Sequence, residues 1–231
     1  MTVQEQYRLA EAFSVIAGEL LTTRDKQDTL QRIVELAVTT IDGCDHAGIT
    51  LLVDGRAETP AQSDEVPAVV QRIQDTTGEG PCVDATYQDH EVFETGDLAT
   101  EPRWPRFSTA VVEHTDVRSA MGIRLTKSGE DALGALDLYA TAVDAFDDSD
   151  RDMAAIFAAF AAVAIRTAIE REQLIEAIAT RDIIGQAKGI IMERTGVDDA
   201  EAFALLRDAS SRMNRKLRDV ARDVLGDQQA P

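Results

Sequence analysis

Apolar and polar residues recur along the chain with two different periods. Residues 3–21 and 26–41 carry apolar side chains at the spacing of amphipathic helices. Residues 46–53 and 117–125 are short segments rich in β-forming residues, and residues 133–140 alternate with a period of two. The pattern predicts two helices followed by strands.

The segments between these strands add further elements. A helix is predicted around residues 67–74 and a short strand around Val92 and Phe93, and the prolines of EPRWPRFSTAVVEH lead into another helix. Because strands and helices follow one another over short connections, the pattern predicts an α+β domain in which helices cover a sheet. We place this domain in residues 1–147.

A long helix is predicted after this domain. Asp147 and Asp150 favour a helix start, and residues 150–178 contain neither Gly nor Pro. The helix packs on the chain's own sheet or forms a seam with a second copy, and the two readings are compatible. Its apolar stripe consists of Met153, Ile156, Phe157, Phe160, Val163 and Ala164.

Three further helical segments are predicted after Arg181. The first ends at Gly196, which suits the left-handed position past a helix. The second begins at Asp198 or Asp199, and the third begins at Asn214. Their apolar faces carry Ala202, Phe203, Leu206 and Ala209, then Leu217, Val220, Ala221 and Val224.

Charge is distributed unevenly. The net charge of −19 argues against a protein coated in nucleic acid over its whole surface. Residues 207–222 nevertheless carry a net charge of +4, whereas residues 1–206 carry −21. A single basic segment in an acidic protein is a candidate anion-binding site, although solvated helix faces are also charged.

We expect Arg212 and Asn214 to lie at the start of the third helix, where free N–H groups favour phosphate.

The sequence also bears on the cellular compartment. Cys44 and Cys82 lack CxxC spacing, which favours a reducing cytoplasm, and neither is assigned a redox role. The N-terminus lacks the basic and apolar regions of a signal peptide. The longest uncharged apolar run, residues 153–165, is 13 residues long, and a bilayer needs about 20. We therefore expect a cytoplasmic protein with no membrane span.

Catalytic chemistry is not indicated. The chain has no GxSxG, HExxH, Walker or Rossmann motif. Cys82 and the three histidines, His46, His90 and His114, are scattered singly rather than at metal-ligand spacing. We expect no enzyme activity, no metal and no cofactor.

The C-terminal motifs identify a family by resemblance. QAKGIIM, AFALLR and MNRKLRDVA occur in order within residues 176–225, and the segment closely resembles the ANTAR module of RNA-binding transcription antiterminators. The resemblance implies a three-helix module that binds stem-loop RNA competing with a terminator. It implies RNA contact, with Lys and Arg suited to phosphate and Arg also to unpaired bases, by Lys188, Gly189, Arg207, Arg212, Asn214, Arg215 and Lys216.

Two glycines in this segment have a second interpretation. Gly185 and Gly189 either contact the RNA or allow the following helices to approach closely. Ala187, Phe203 and Leu206 are expected in the module's core. The domain division is a connecting helix at residues 148–178, the module at residues 179–226 and a tail at residues 227–231.

A second resemblance covers the first domain. GEGPCVDA, EPRWPRFS and VRSAMGIRL occur in order, and residues 26–170 look like the GAF domains fused to ANTAR modules in actinobacteria. The resemblance implies an antiparallel sheet flanked by helices, and a small-molecule ligand that the residues do not identify. The function expected is a signal-responsive, homodimeric antitermination regulator. A DNA-binding regulator and a sensory protein-interaction module are the alternatives.

Overall fold

The computed structural model describes residues 18–20, 22–23, 25–53, 56–81, 83–84, 92–126 and 133–226. The chain divides into two compact units, Met1–Ile169 and Glu170–Pro231. Residues 18–20 are helical, and the rest of the helix predicted over residues 3–21 lies outside the described residues. Cys82 and His90 also lie outside them.

The first unit contains a five-stranded antiparallel sheet with the order β2-β1-β5-β4-β3. This confirms the predicted α+β class with an antiparallel sheet flanked by helices. In chain order the elements are α1 (Lys26–Thr40), β1 (His46–Val53), β2 (Arg56–Gln62), α2 (Glu65–Thr77), β3 (Val92–Thr95), α3 (Pro105–His114), β4 (Ser119–Leu125) and β5 (Gly134–Ala140).

Helices cover both faces of the sheet. Successive residues of a strand point to opposite faces, so Leu136 and Leu138 of β5 join one core and Tyr139 joins the other. The first core is completed by α1 and by Phe157 of the long helix. The second contains Phe107 of α3, which packs edge-on against Trp104, and is completed by α2. The sheet is therefore buried on both sides.

Strand β2 was not predicted, because its sequence, RAETPAQ, lacks an apolar alternation. It lies at the edge of the sheet, where one side of the strand needs no hydrogen-bonded partner. Pro60 falls where the register with β1 shifts between Ile49 and Leu51. A proline is tolerated at such an irregularity because it has no N–H to donate to the ladder.

The long helix, α4, runs without a break from Asp148 to Thr195 and has 48 residues. The prediction of a separate helix starting after Arg181 is therefore wrong, since no residue of α4 there interrupts the backbone hydrogen bonds. Its first part belongs to the sheet unit and its last part to the second unit. The predicted apolar stripe splits, because Phe157 is buried whereas Phe160 and Val163 are 41% and 55% exposed.

By length and composition alone, α4 is apolar enough to cross a membrane, contrary to the estimate from the longest uncharged run. Its buried residues explain the composition differently. Four residues are fully buried in the core of the sheet unit: Ala154, Phe157, Ala161 and Ile165. Part of the apolar content of this helix is therefore used for packing within the domain, and 33% of its most apolar window is buried.

The second unit contains the end of α4 together with α5 (Asp199–Met213) and α6 (Leu217–Gly226). Its core consists of Ala187, Leu206, Val220 and Ala221, with Ala202 also buried, as the periodicity predicted for most of these positions. Gly196 has a φ of 72°, the left-handed conformation expected after a helix.

The boundaries of α5 show one correct prediction and one error. Asp198 caps α5 and forms a capping box with Glu201, as its residue type predicted. The third helix begins at Leu217 rather than at Asn214. Asn214 has a φ of 49° and a ψ of 43°, and this left-handed residue ends α5 with its N–H directed to the carbonyls of Ser210 and Ser211.

Candidate nucleic-acid interface

The predicted contact residues occupy three places in the helical unit. Lys188 and Gly189 lie on α4, Arg207 and Arg212 lie on α5, and the remaining three form the turn between α5 and α6. These three are Asn214, Arg215 and Lys216. All of the cations except Lys188 belong to exposed residues.

The turn from α5 to α6 is held by local hydrogen bonds. The Arg215 N–H donates to the Ser210 carbonyl at 3.1 Å, and the Ser210 hydroxyl donates to the Arg215 carbonyl at 2.5 Å. Because Asn214 has the left-handed conformation, the chain reverses within three residues. The turn therefore places Arg212, Arg215 and Lys216 together at one end of α5.

This geometry corrects the expected phosphate site. Arg212 lies in the last turn of α5, at the negative end of the helix dipole, where a cation is stabilised and a free phosphate is not. The Lys216 carbonyl accepts hydrogen bonds from the N–H groups of Asp219 and Val220, so Lys216 directly precedes α6. It therefore lies next to the free N–H groups at the start of that helix. Lys216, rather than Arg212, is therefore the cation at a helix start.

Most cations of this unit are paired with carboxylates of the same unit. Lys188 Nζ lies 2.5 Å from Asp199 Oδ1, and Arg215 lies 2.6 Å from Asp223. Three other pairs are Arg212 with Asp208, Arg218 with Glu176, and Arg222 with Asp219. These groups are mostly solvent-exposed, and an exposed pair of this kind contributes only about 0–1 kcal/mol. A phosphate can therefore displace the carboxylate.

Arg207 and Lys216 differ from the other predicted cations. Within the part of the chain that the structure describes, neither has a carboxylate at ion-pair distance. Both residues are exposed. An incoming anion meets no competitor at these two side chains.

Phe203 was predicted to be in the core and is instead 39% exposed. Its neighbours Ala202 and Leu206 are 0% and 2% exposed and supply the core contacts of α5. Lys188 Nζ lies 6.0 Å from the centroid of the Phe203 ring. The prediction failed because adjacent helix positions are separated by about 100°, so Phe203 lies at the margin of the apolar face.

No other described element packs closely against Gly185 or Gly189. A Cβ at either position would have no heavy atom within 4 Å among the described residues. Ala187 between them is fully buried. Since a shift of two residues turns an α-helix by about 200°, both glycines face away from the unit's core. The packing interpretation is therefore wrong, and contact of Gly189 with RNA stays a prediction.

The sheet unit has a buried polar group on the face covered by α2. The Thr50 hydroxyl oxygen lies 2.9 Å from Asp137 Oδ2 and 3.2 Å from Gln71 Oε1, and Gln71 donates to Asp75 at 2.8 Å. Thr50 and Asp137 are 0% and 3% exposed. A hydroxyl has one hydrogen, so Thr50 donates to one of these oxygens at a time. Two shallow clefts of about 290 and 460 Å³ flank α3 at the surface.

The other reactive side chains of this unit have structural partners. Burial raises the pKa of Cys44 to about 12, so its thiol stays protonated at neutral pH. His46 Nδ1 lies 2.7 Å from Asp64, and His114 Nδ1 lies 2.8 Å from the Ala110 carbonyl. Across the described residues no three potential metal ligands come together.

Comparison with protein families agrees with the division of the chain into the two compact units Met1–Ile169 and Glu170–Pro231. The family model for the GAF domain matches residues 23–166, and the model for the ANTAR domain matches residues 172–225. The first match alone covers more than half of the chain. This chain belongs to the GAF domain family and carries a C-terminal ANTAR domain. Both are regulatory rather than catalytic families, so the protein is a regulator with a sensory GAF domain.

Solved structures share the fold of the GAF domain. The GAF domain of a phosphoenolpyruvate-protein phosphotransferase from Coxiella burnetii is 15% identical with a TM-score of 0.57, over 72% of this chain and 98% of that chain. A domain of a putative two-component sensor histidine kinase from Sinorhizobium meliloti is 19% identical with a TM-score of 0.51, over 63% and 96%. At these identities the likeness shows the fold alone. No curated relative matches the chain by sequence.

Proposed function

We propose that the ANTAR domain binds stem-loop RNA and that the GAF domain makes this binding depend on a signal. The observation that carries the proposal is the ANTAR match to residues 172–225, the part of an acidic chain in which the cations concentrate. Cations at Arg212, Arg215 and Lys216 suit the phosphates of a hairpin, because RNA affinity depends mainly on phosphate contacts. The role is binding rather than catalysis.

The regulatory outcome proposed is transcription antitermination. A hairpin that is bound and stabilised by the ANTAR domain excludes the alternative pairing of a terminator, so transcription continues. The RNA contacts proposed are Lys188, Gly189, Arg207, Arg212, Asn214, Arg215 and Lys216. Such regulation takes place in the cytoplasm, away from a membrane.

We also propose that the protein acts as a homodimer through α4. Val163, Leu174 and Ile178 are 55%, 63% and 47% exposed, and their spacing places them on one side of the helix. A second copy is the partner that matches an apolar helix surface with its own. Two ANTAR domains would then bind two hairpins in tandem, and the second binding event would gain from a high effective concentration.

The signal proposed is a small molecule bound by the GAF domain. The support for this is two surface clefts beside α3, with volumes of about 290 and 460 Å³, near the lower end of the size range of small-molecule sites. Helix α4 would carry the response, since Phe157 and Ala187 of the same helix belong to the cores of the two units. We also propose that the GAF domain ends at residue 147, the connecting helix at residue 178 and the ANTAR domain at residue 226.

Binding measurements on the full-length protein test the proposal. An RNA with two hairpins should bind more tightly than duplex DNA of the same length at the same salt concentration. Arg207→Ala and Lys216→Ala should each weaken RNA binding by about tenfold, because each removes a phosphate-binding cation without breaking an ion pair. Arg72→Ala, an exposed arginine on α2, makes the same change in net charge and serves as the control.

Two results would overturn the proposal. Tighter binding to duplex DNA would favour a DNA-binding regulator. Equal affinities of Arg207→Ala, Lys216→Ala and Arg72→Ala for the RNA would show that the charge, rather than the site, determines binding. The protein could also bind tandem hairpins and yet leave terminator readthrough unchanged in a purified transcription reaction. That result would keep the proposed RNA binding and overturn the proposed antitermination.

A further inference from the structure

We propose that Phe203 is the platform on which an unpaired base of the hairpin loop stacks, with Lys188 and Arg207 beside it. This inference rests on the proposed RNA binding by the ANTAR domain and deepens it. It adds an apolar contact to a site so far described only by charge. It also specifies that the loop, rather than the paired stem, meets this part of α5.

Exposure of the ring is the first observation. Phe203 is 39% exposed, although α5 already fills the domain's core with Ala202 and Leu206. Phe203 is absent from the buried core cluster and from the residues packed against it. A large part of the aromatic surface is therefore available to a ligand.

Lys188 gives this ring a defined environment. Its ammonium lies 6.0 Å from the ring centroid and 2.5 Å from Asp199 Oδ1, and its side chain is only 20% exposed. Asp199 lies one turn before Phe203 on α5, so the ion pair fixes the lysine beside the ring. A cation over an aromatic ring interacts with the π-electrons of one face. One face of the ring therefore carries a cation, and 39% of the residue's surface remains exposed.

Arg207 supplies the second charge. It lies four residues after Phe203 on α5, and side chains at this spacing are neighbours about 6 Å apart on the same side of a helix. Arg207 is exposed and has no carboxylate at ion-pair distance within the described part of the chain. It is thus placed to bind the phosphate of a nucleotide whose base lies on Phe203.

These features favour a nucleotide base over an apolar protein partner. Charged neighbours surround the ring: Lys188 lies beside it, and Asp199 and Arg207 lie one turn before and one turn after Phe203 on α5. Leu205, which is 48% exposed, lies about 200° away around the helix and does not extend the surface. A single ring next to cations matches one base and its phosphate, and only unpaired bases expose a face for stacking.

Substitutions at Phe203 in the full-length protein test this inference. Phe203→Leu keeps an apolar side chain but removes the ring, and we expect about a tenfold loss of affinity for the hairpin RNA. Phe203→Trp should bind at least as tightly as the wild type. Leu205→Ala truncates a comparably exposed side chain on another side of α5 and should leave the affinity unchanged. Circular dichroism of each variant confirms that the helices are intact.

An RNA with an abasic nucleotide in place of each loop base in turn completes the test. At the base that stacks, wild type and Phe203→Leu should bind the abasic RNA equally, because the contact is already lost. Equal binding of intact RNA by wild type and Phe203→Leu would overturn the inference while leaving the proposed RNA binding in place. Failure of the wild type to bind hairpin RNA would overturn both. A loss that persists on every abasic RNA would assign Phe203 a structural role.

Discussion

Individual charges of the ANTAR domain are held by its own carboxylates. Lys188, Arg212 and Arg215 each face an aspartate of the same domain. At these three cations an RNA phosphate would therefore exchange one anionic partner for another instead of meeting a free cation. The free energy gained per contact is the difference between the two ion pairs, which is smaller than the attraction of either one.

Removal of one carboxylate should expose this competition. Asp223→Asn releases Arg215 from its 2.6 Å ion pair, and we expect RNA affinity to rise about threefold at low salt. Asp152→Asn on the exposed side of α4 in the GAF domain makes the same change in net charge. If the two variants gain equally in filter-binding or gel-shift titrations, the local pairing of Arg215 has no influence.

In the GAF domain a buried carboxylate gives stability a defined pH dependence. Hydrogen bonds from the Arg103 side chain and N–H lower the pKa of Glu101 to about 2, against the effect of burial. The Glu101 side chain is only 5% exposed. Because the folded pKa is depressed, the stabilisation is complete above the unfolded pKa of about 4.3 and is lost as the pH falls towards 2.

Replacement by glutamine tests this dependence. Glu101→Gln should lower the free energy of unfolding by about 1–2 kcal/mol at pH 7, less than the full pKa shift implies, because Arg103 is half exposed. The difference from the wild type should shrink between pH 4.5 and pH 2. Denaturant titrations can follow the fluorescence of Trp104, the single tryptophan. Glu113→Gln, at an exposed position, should show no such pH-dependent difference.

At the level of elements, hydrophobic periodicity predicted the helices and strands that bury a regular apolar face. The strands at the sheet's centre and the apolar face of α6 follow from the sequence because their apolar residues recur at every second position or at every third or fourth. Strand β2 could not be predicted, since an edge strand with Pro60 owes its place to pairing with β1. The helical break after Arg181 was inferred without a Gly or Pro to cause it.

Candidate contact residues followed from family motifs, but their surroundings did not. The sequence does not show that Asn214 ends α5 in a left-handed conformation, because asparagine suits both helix starts and helix ends. It likewise gives no sign that Phe203 is exposed, as apolar residues are expected inside. Asp199 on α5 and Asp223 on α6 lie 11 and 8 residues from Lys188 and Arg215, so only folding brings these two pairs together.

The two glycines of α4 provide a matched comparison. Each should be replaceable by alanine with a gain of about 0.5–1 kcal/mol in the stability of the helix, because a Cβ would meet nothing within 4 Å. Gly189 is a proposed RNA contact and Gly185 is not. Gly189→Ala should therefore weaken RNA binding while Gly185→Ala leaves it unchanged, with thermal unfolding as the measure of stability. Equal affinities would remove Gly189 from the site.

At the level of the whole molecule, net charge and the proposed dimerisation would both affect the affinity for RNA. A net charge of −19 opposes RNA binding at long range, and the opposition weakens as salt screens charges beyond about 8–10 Å. Dimerisation would compensate by joining two binding sites. The affinity for a tandem RNA should thus depend on both the oligomeric state and the ionic strength.

Replacement of apolar residues on α4 separates these contributions. The double variant Leu174→Gln with Ile178→Gln removes two exposed apolar side chains from the proposed seam, and light scattering should show a shift from dimer to monomer. Binding to a two-hairpin RNA should fall by about 10–100-fold, whereas binding to one hairpin should change little. Leu205→Gln on α5 is the control. A monomeric wild type would contradict the seam.

The carboxylates beside Lys188, Arg212 and Arg215 also have a consequence for selectivity in the cell. Most cellular RNA presents phosphates without the correct hairpin, and an unpaired cluster of cations would be occupied by it. With the aspartates in place, a transcript that makes the proposed loop contact and the phosphate contacts together would displace them more readily than one that makes phosphate contacts alone. The free pool of regulator would then be kept for the rare transcripts that carry the proposed hairpins.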